Sequence, residues 1–263
     1  MKRSTGTRLC ATAAIGALSL SLLTACSDDG AKDAGEAEGS ASSTASSAAK
    51  ALPKAELEKL LLAQGEIKGY KVTSGDDTLP ASKSAVKTDE EACAPLAYAI
   101  SGLAPGDTDS QASNTLTEDN ASAAATKAPE DISQSDLENA FKVSLTFVGL
   151  SSYEGDGAEK AFKSVSDGVA ACSGGFGVAA QGEKQKITKV ASEKAPGSGD
   201  ESVAFSVDSD VDGGESATFH TQVVRKGNTV ASFYTVDFAS LTSTGKSSAV
   251  PAAVVAAQVA KIR

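Results

Sequence analysis

The chain has 263 residues, 24 basic against 34 acidic side chains, and a formal net charge of −10. That balance argues against nucleic acid as a partner, because phosphate neutralisation needs clustered Lys and Arg, and a single histidine rules out a His-rich metal site. The length allows one domain of ordinary size or two small ones, with enough core to fold without staples.

Lys2, Arg3 and Arg8 precede an uncharged, apolar run from Leu9 to Leu23. The run is too short for an ordinary membrane-spanning helix and reads as an export signal over residues 1–25. It closes on Leu23-Thr24-Ala25-Cys26, which matches the bacterial lipobox. The match implies that Cys26 takes a diacylglycerol thioether and becomes the first mature residue. The mature chain would then sit on the extracytoplasmic face of the cell membrane, held by lipid. An ordinary secretory signal with a chance cysteine is the alternative. Loss of the signal leaves 21 basic residues against 34 acids, so membrane attachment must come from lipid and not from a polybasic patch.

Residues 26–51 read as the lipidated cysteine and a tether. From Ser27 to Ala51 there is no aromatic residue and no Val, Ile, Leu or Met. Such a segment cannot bury enough apolar surface to offset its ordering entropy, and its Ser, Gly and Ala make it flexible, with a reach of roughly 25–30 Å.

The globular part is expected over residues 52–263. Lys54 to Gln64 carries strong helix formers with Leu57, Leu60, Leu61 and Leu62, and Gly65 ends it. A second helix is expected over Thr88–Ser101, with Thr88 as N-cap, Glu91 as its capping-box partner and Pro95 in the first turn or at a kink. Residues 104–139 are polar and broken by Pro105, Gly106 and Pro129. They read either as a mobile flap or as a loop holding a short strand within Gln111–Thr117. Phe141, Val143, Leu145 and Phe147 alternate with Lys142, Ser144 and Thr146, the pattern of a half-buried strand. Ala158, Ala161, Phe162, Val165, Val169 and Cys172 then fall three and four apart on one helix face, and Ser173-Gly174-Gly175 stops that helix. Strands follow at Ile187–Ala191, around Val203–Val207, and at Thr218–Arg225 and Thr229–Phe238. The last two flank the hairpin signal Lys226-Gly227-Asn228. A closing helix from about Ser248, with Pro251 in its first turn, carries Val254, Val255, Val259 and Ile262 as its apolar stripe. Tight turns between successive strands favour an antiparallel sheet, hence a single α+β domain with helices packed on it.

Of the four cysteines, Cys10 leaves with the signal and Cys26 is spent on lipid. Cys93 and Cys172 remain, each on a predicted helix, and outside the cell they most simply pair with each other. Two buried free thiols, or one reactive thiol, are the alternatives. No Cys-x-x-Cys supports a thioredoxin-like role.

Catalytic patterns are incomplete. His220 lies in a predicted strand beside Thr218 and Gln222, and no Gly-x-Ser-x-Gly elbow accompanies it. A half-exposed strand histidine is the expectation, with a pocket role as the alternative. Asp208-Ser-Asp210-Val-Asp212-Gly213 imitates the start of a calcium loop, but Phe219 stands where the bidentate Glu belongs. An acidic hairpin turn accounts for it, with weak calcium binding as the alternative. Ser173-Gly174-Gly175-Phe176-Gly177 follows a helix instead of opening one. Gly245-Lys246-Ser247 lacks the first glycine of a phosphate loop, with Ser240 in its place. Both read as turns. No catalytic residue, metal ligand or cofactor-binding residue is singled out.

The lipobox, the Ala/Ser-rich tether, Asp89-Glu-Glu-Ala-Cys93-Ala-Pro-Leu, Ala158-Glu-Lys-Ala-Phe162…Ala171-Cys172-Ser-Gly, a strand meander and a last helix ending Val259-Ala-Lys-Ile come in one order. In that order the chain resembles actinobacterial lipoproteins related to the extracellular sensor domain of PknH-type serine/threonine kinases. The resemblance covers roughly residues 52–263. It implies an antiparallel sheet with helices, a deep cleft and two disulfides, of which only a Cys93–Cys172 bridge has its residues here. The expected function is non-enzymatic binding or sensing of a small molecule or envelope component through a cleft. The alternative is a protein-interaction accessory module of the envelope with no small-molecule ligand.

Overall fold

The computed structural model describes residues 49–74, 79–119, 128, 131–134, 144–180, 182–211, 215–238 and 247–263. The export signal, Cys26 and the tether up to residue 48 lie outside them, as do 141–143, 212–214 and 239–246.

Among the described residues nine strands make one sheet: β1 (Tyr70–Ser74), β2 (Val86–Thr88), β3 (Gln111–Glu118), β4 (Ser144–Ser152), β5 (Phe176–Ala180), β6 (Glu183–Glu193), β7 (Glu201–Val211), β8 (Glu215–Lys226) and β9 (Thr229–Asp237). Their spatial order is β1-β3-β4-β9-β8-β7-β6-β5-β2, and every neighbouring pair is antiparallel. The run β5 to β9 is a meander. Its last hairpin turns at Gly227-Asn228, with Lys226 opposite Thr229, as the sequence leads one to expect.

Among the described residues four α-helices cover the sheet: α1 (Lys54–Leu60), α2 (Ala94–Ile100), α3 (Gly157–Ala171) and α4 (Ala252–Lys261). Successive strand residues point to opposite faces, and the two faces carry separate cores. On one, Leu96 and Ile100 of α2 and Phe162, Val165 and Val169 of α3 pack on Phe205, Val207 and Phe219. On the other, Leu57 of α1 and Val254, Val255 and Val259 of α4 pack on Leu116, Val148 and Phe233. The fold is α+β, and the described residues belong to one compact unit.

The amphipathic stripes of α3 and α4 lie where the periodicity puts them. Other elements differ. The first helix stops at Leu60, and Leu61 and Leu62 leave it extended to reach the core. Thr88 closes a strand instead of capping a helix. Its hydroxyl donates to Glu90 O at 2.8 Å, and the helix starts only at Ala94, with Pro95 in its first turn. The polar stretch after residue 104 does hold a strand, β3. In β4 the alternation is inverted: Ser144 and Thr146 are buried while Leu145 and Phe147 are half-exposed. β4 is an inner strand with helices over both faces, so polarity does not mark its outside. The Thr146 hydroxyl meets Thr235 Oγ1 at 3.0 Å. The last helix begins at Ala252, because the Ser248 hydroxyl is donated to Asp237 Oδ2 at 2.7 Å instead of opening the helix.

One residue ties both ends of the domain. Gln258, fully buried on α4, accepts from Leu62 N–H at 3.0 Å and donates to Leu60 O at 2.7 Å. These are groups that α1 leaves unpaired when it stops short. Gln258→Leu leaves both without a partner. At 1–3 kcal/mol for each buried orphan, urea unfolding is expected to show a loss of about 2–6 kcal/mol. A change under about 0.5 kcal/mol would mean that water serves these groups equally well.

Candidate ligand-binding hollow

Phe147 on β4 and Tyr234 on β9 face each other in the ladder. Their ring centroids are 6.2 Å apart and their planes 22° from parallel. Phe219 on β8 meets Tyr234 at 5.7 Å and 47°. The Phe147–Tyr234 pair forms one side of a cavity of about 190 Å³ on the face that carries α2 and α3. Ile100 and Ser101, at the end of α2, make a second side, and Leu79 with Pro80 a third. Val178 and Ala180 of β5 and Gln185 of β6 close it.

The location follows from how α2 ends. The helix stops at Ile100, and the chain presses onto the sheet: a Cβ built on Gly149 would lie 2.6 Å from Gly102 O. Only glycine in β4 admits this approach. Strands β4 and β5 are separated by four others, which in a flat sheet means about 24 Å at 4.8 Å per neighbour. Both wings line one small cavity, so the sheet curls around it.

Among the described residues no charged side chain lines the hollow. Burial, unopposed by any charge or hydrogen bond, pushes the Tyr234 phenol well above its ordinary range, so the group is neutral at physiological pH and keeps its proton to donate. Among the described residues no hydrogen bond engages that hydroxyl. Its ladder neighbour Thr221 and Thr115, opposite Phe147, are buried with hydroxyls that also lack partners. The row Thr115–Phe147–Tyr234–Thr221 thus crosses four strands with unpartnered hydroxyls on both sides of the stacked rings. Two larger hollows have different chemistry. In that between α3 and β7–β8, charges are spent on each other: Lys163 meets Asp167 at 2.6 Å, and Arg225 meets Glu201 at 2.5 Å. The hollow on the α1 side, by Leu52 and Leu60, is lined by the charged Glu56, Lys59 and Arg263.

The residues singled out in the sequence fall elsewhere. Cys93 and Cys172 are joined, with Cα atoms 5.9 Å apart. The bridge fastens the turn before α2 to the end of α3, so it holds the wall that bears Ile100 without lining the hollow. His220 lies on the opposite sheet face, its Nδ1 3.0 Å from both Glu193 carboxylate oxygens. Among the described residues no hydroxyl is bonded to its other nitrogen. Thr235, a ladder neighbour, is engaged with Thr146. Asp208 of the acidic turn accepts from Thr218 Oγ1 at 2.7 Å across the β7–β8 ladder, and 212–214 lie outside the described residues. Gly174 and Gly175 are a helix stop. Cys26, the expected lipidation site, lies outside the described residues. The sequence places Phe147 on the apolar side of a strand and Tyr234 within Thr229–Phe238, and marks neither as a site residue.

No protein-family model matches the chain, and no curated protein sequence does. Among solved structures it is similar to the extracellular domain of PknH from Mycobacterium tuberculosis. The similarity covers 71% of this chain and 87% of that one, at 15% identity and a TM-score of 0.41. It is a distant structural likeness.

Proposed function

We propose that the chain is a lipid-anchored envelope protein whose α+β domain binds a small molecule or envelope component without transforming it. The hollow carries this reading: an uncharged, aromatic-walled cavity holding a phenol with a proton to donate and no partner among the described residues. Pockets of this kind, apolar with a few convergent polar groups, are where small ligands bind. The anchor rests on the sequence, where a basic start, an apolar run, the lipobox and a polar tether come in order. It accounts for how a chain this acidic stays at a membrane.

The test is native mass spectrometry of the protein released from its own host, with and without envelope extracts. A bound mass or a ligand-dependent shift is expected. A clean apo mass under both conditions overturns the ligand reading, and one reproducible crosslinked partner in cells would then identify an interaction module. In the same host, Cys26→Ala should release the protein from the membrane fraction. Unchanged retention would contradict the anchor.

A further inference from the structure

Resting on that reading, we infer the ligand class of the hollow: an uncharged molecule of about one-ring size, whose single hydrogen-bond acceptor takes the proton of the Tyr234 hydroxyl. Size is the first constraint. At about 190 Å³ the cavity exceeds the roughly 150 Å³ that admits benzene and falls short of the roughly 300 Å³ at which drug-sized sites begin. Charge is the second. A carboxylate, phosphate or ammonium placed against Leu79, Ile100, Phe147 and Val178 would lose water with no counter-ion among the described lining residues, an arrangement that proteins avoid. Lys83, three residues after Pro80, is engaged elsewhere: it donates to Gly106 O and lies 5.1 Å over the Tyr98 ring.

Shape is the third constraint. Phe147 and Tyr234, nearly parallel and offset, offer a flat wall on which a ring lies by offset stacking. Polarity is the fourth. Among the described residues the hydroxyl of the half-buried Tyr234 has no protein partner, so an acceptor on a bound ligand gains a hydrogen bond there. A purely hydrocarbon ligand does not. Ser101, nearly buried, and the exposed Gln185 sit on other walls. They carry no charge that would change the class.

The experiment uses the full chain carried as Cys26→Ala, so that no detergent competes for the cavity. Benzyl alcohol and 4-methylphenol are the neutral acceptor-bearing probes, toluene the hydrocarbon, and benzoate and benzylammonium the charged isosteres. Binding is read by ligand-observed NMR titration. The neutral probes are expected to bind at least tenfold more tightly than either ion. Tyr234→Phe, which keeps the ring and its stacking, should weaken benzyl alcohol about three- to tenfold and leave toluene unchanged. Ala180→Phe, filling the cavity from β5, should abolish both. Equal or tighter binding of an ion overturns the proposal, as does an equal loss of toluene and benzyl alcohol in Tyr234→Phe. No binding by any probe also overturns it. In that case a mass shift with envelope extract would still support the broader reading, whereas probe binding with a clean apo mass against extract would overturn the broader reading alone.

Discussion

Replacing both Cys93 and Cys172 by alanine is expected to lower stability by about 4 kcal/mol. The bridge spans a sequence separation of 79, and in the chain-entropy account a loop of that length in the unfolded state carries about this penalty. At roughly 2–4 °C per kcal/mol for a domain of this size, the melting midpoint falls by about 8–16 °C. Both cysteines are buried, so alanine leaves no orphaned thiol, though it does leave some space. The loss should be uneven across the fold. Helix α2 has seven residues, too few to persist without packing, and its start is what Cys93 fastens to α3. Hydrogen exchange at Leu96–Ile100 should therefore accelerate more than exchange in β7 or β8. Reductant should reproduce the double variant in the wild-type chain and change nothing further in the variant. Coincident melts of wild type and variant would show that the bridge does not constrain the unfolded chain.

Gly175→Ala should cost about 2–6 kcal/mol, and Gly174→Ala less than about 1. The residues are adjacent and both follow α3, yet their surroundings differ. Gly175 has φ +86°, a region that costs an L side chain roughly 1–3 kcal/mol. Its added Cβ would also lie 2.2 Å from Ile187 O, which forces β5 away from β6 and adds about 1–3 kcal/mol of overpacking. Gly174 has no positive φ, and nothing lies within 4 Å of its Cβ. Urea unfolding of the two variants side by side separates a close approach of backbones from generic helix-stop chemistry. Equal effects would mean that the turn relaxes. The wedge at Gly175 sits at the start of the strand whose Val178 and Ala180 line the hollow, so Gly175→Ala should also weaken the neutral probes.

The elements legible in the sequence were those with a period or an elimination behind them. Six positions from Ala158 to Cys172 spell the buried face of α3, and Lys226-Gly227-Asn228 marks its hairpin without help from the rest of the chain. Cys93 and Cys172 could be matched because the sequence assigns the other two cysteines to an expected export signal and an expected lipidation site. The strands that escaped notice are short or disguised. β1 and β5 have five residues each and β2 has three. The first half of β6, Glu183-Lys184-Gln185-Lys186, is exposed and reads as loop because its pairing comes from neighbours and not from burial. Nor could the hollow be read from the sequence. Leu79, Ile100, Phe147, Gln185 and Tyr234 meet only because α2 ends over Gly149 and the sheet curls, and no local pattern encodes either event. Gln258 was hidden for a related reason: a polar residue within an apolar stripe looks exposed until the carbonyl and amide it serves are known.

The carbonyls of Ala49 and Lys50 are held by Gly155 N–H and by Asn228 Nδ2, and Lys226 Nζ holds Ile262 O near the other end of the chain. Both ends of the domain are therefore moored at the β8–β9 turn, the leading end also at the turn before α3. A pull arriving through the residues before Ala49 loads that mooring first. Tyr234 sits five residues along β9 from Thr229, about 17 Å at 3.4 Å per residue. Traction on the leading segment would then be spent on two hydrogen bonds, one at the hairpin tip and one at the turn before α3, before it reached the aromatic wall.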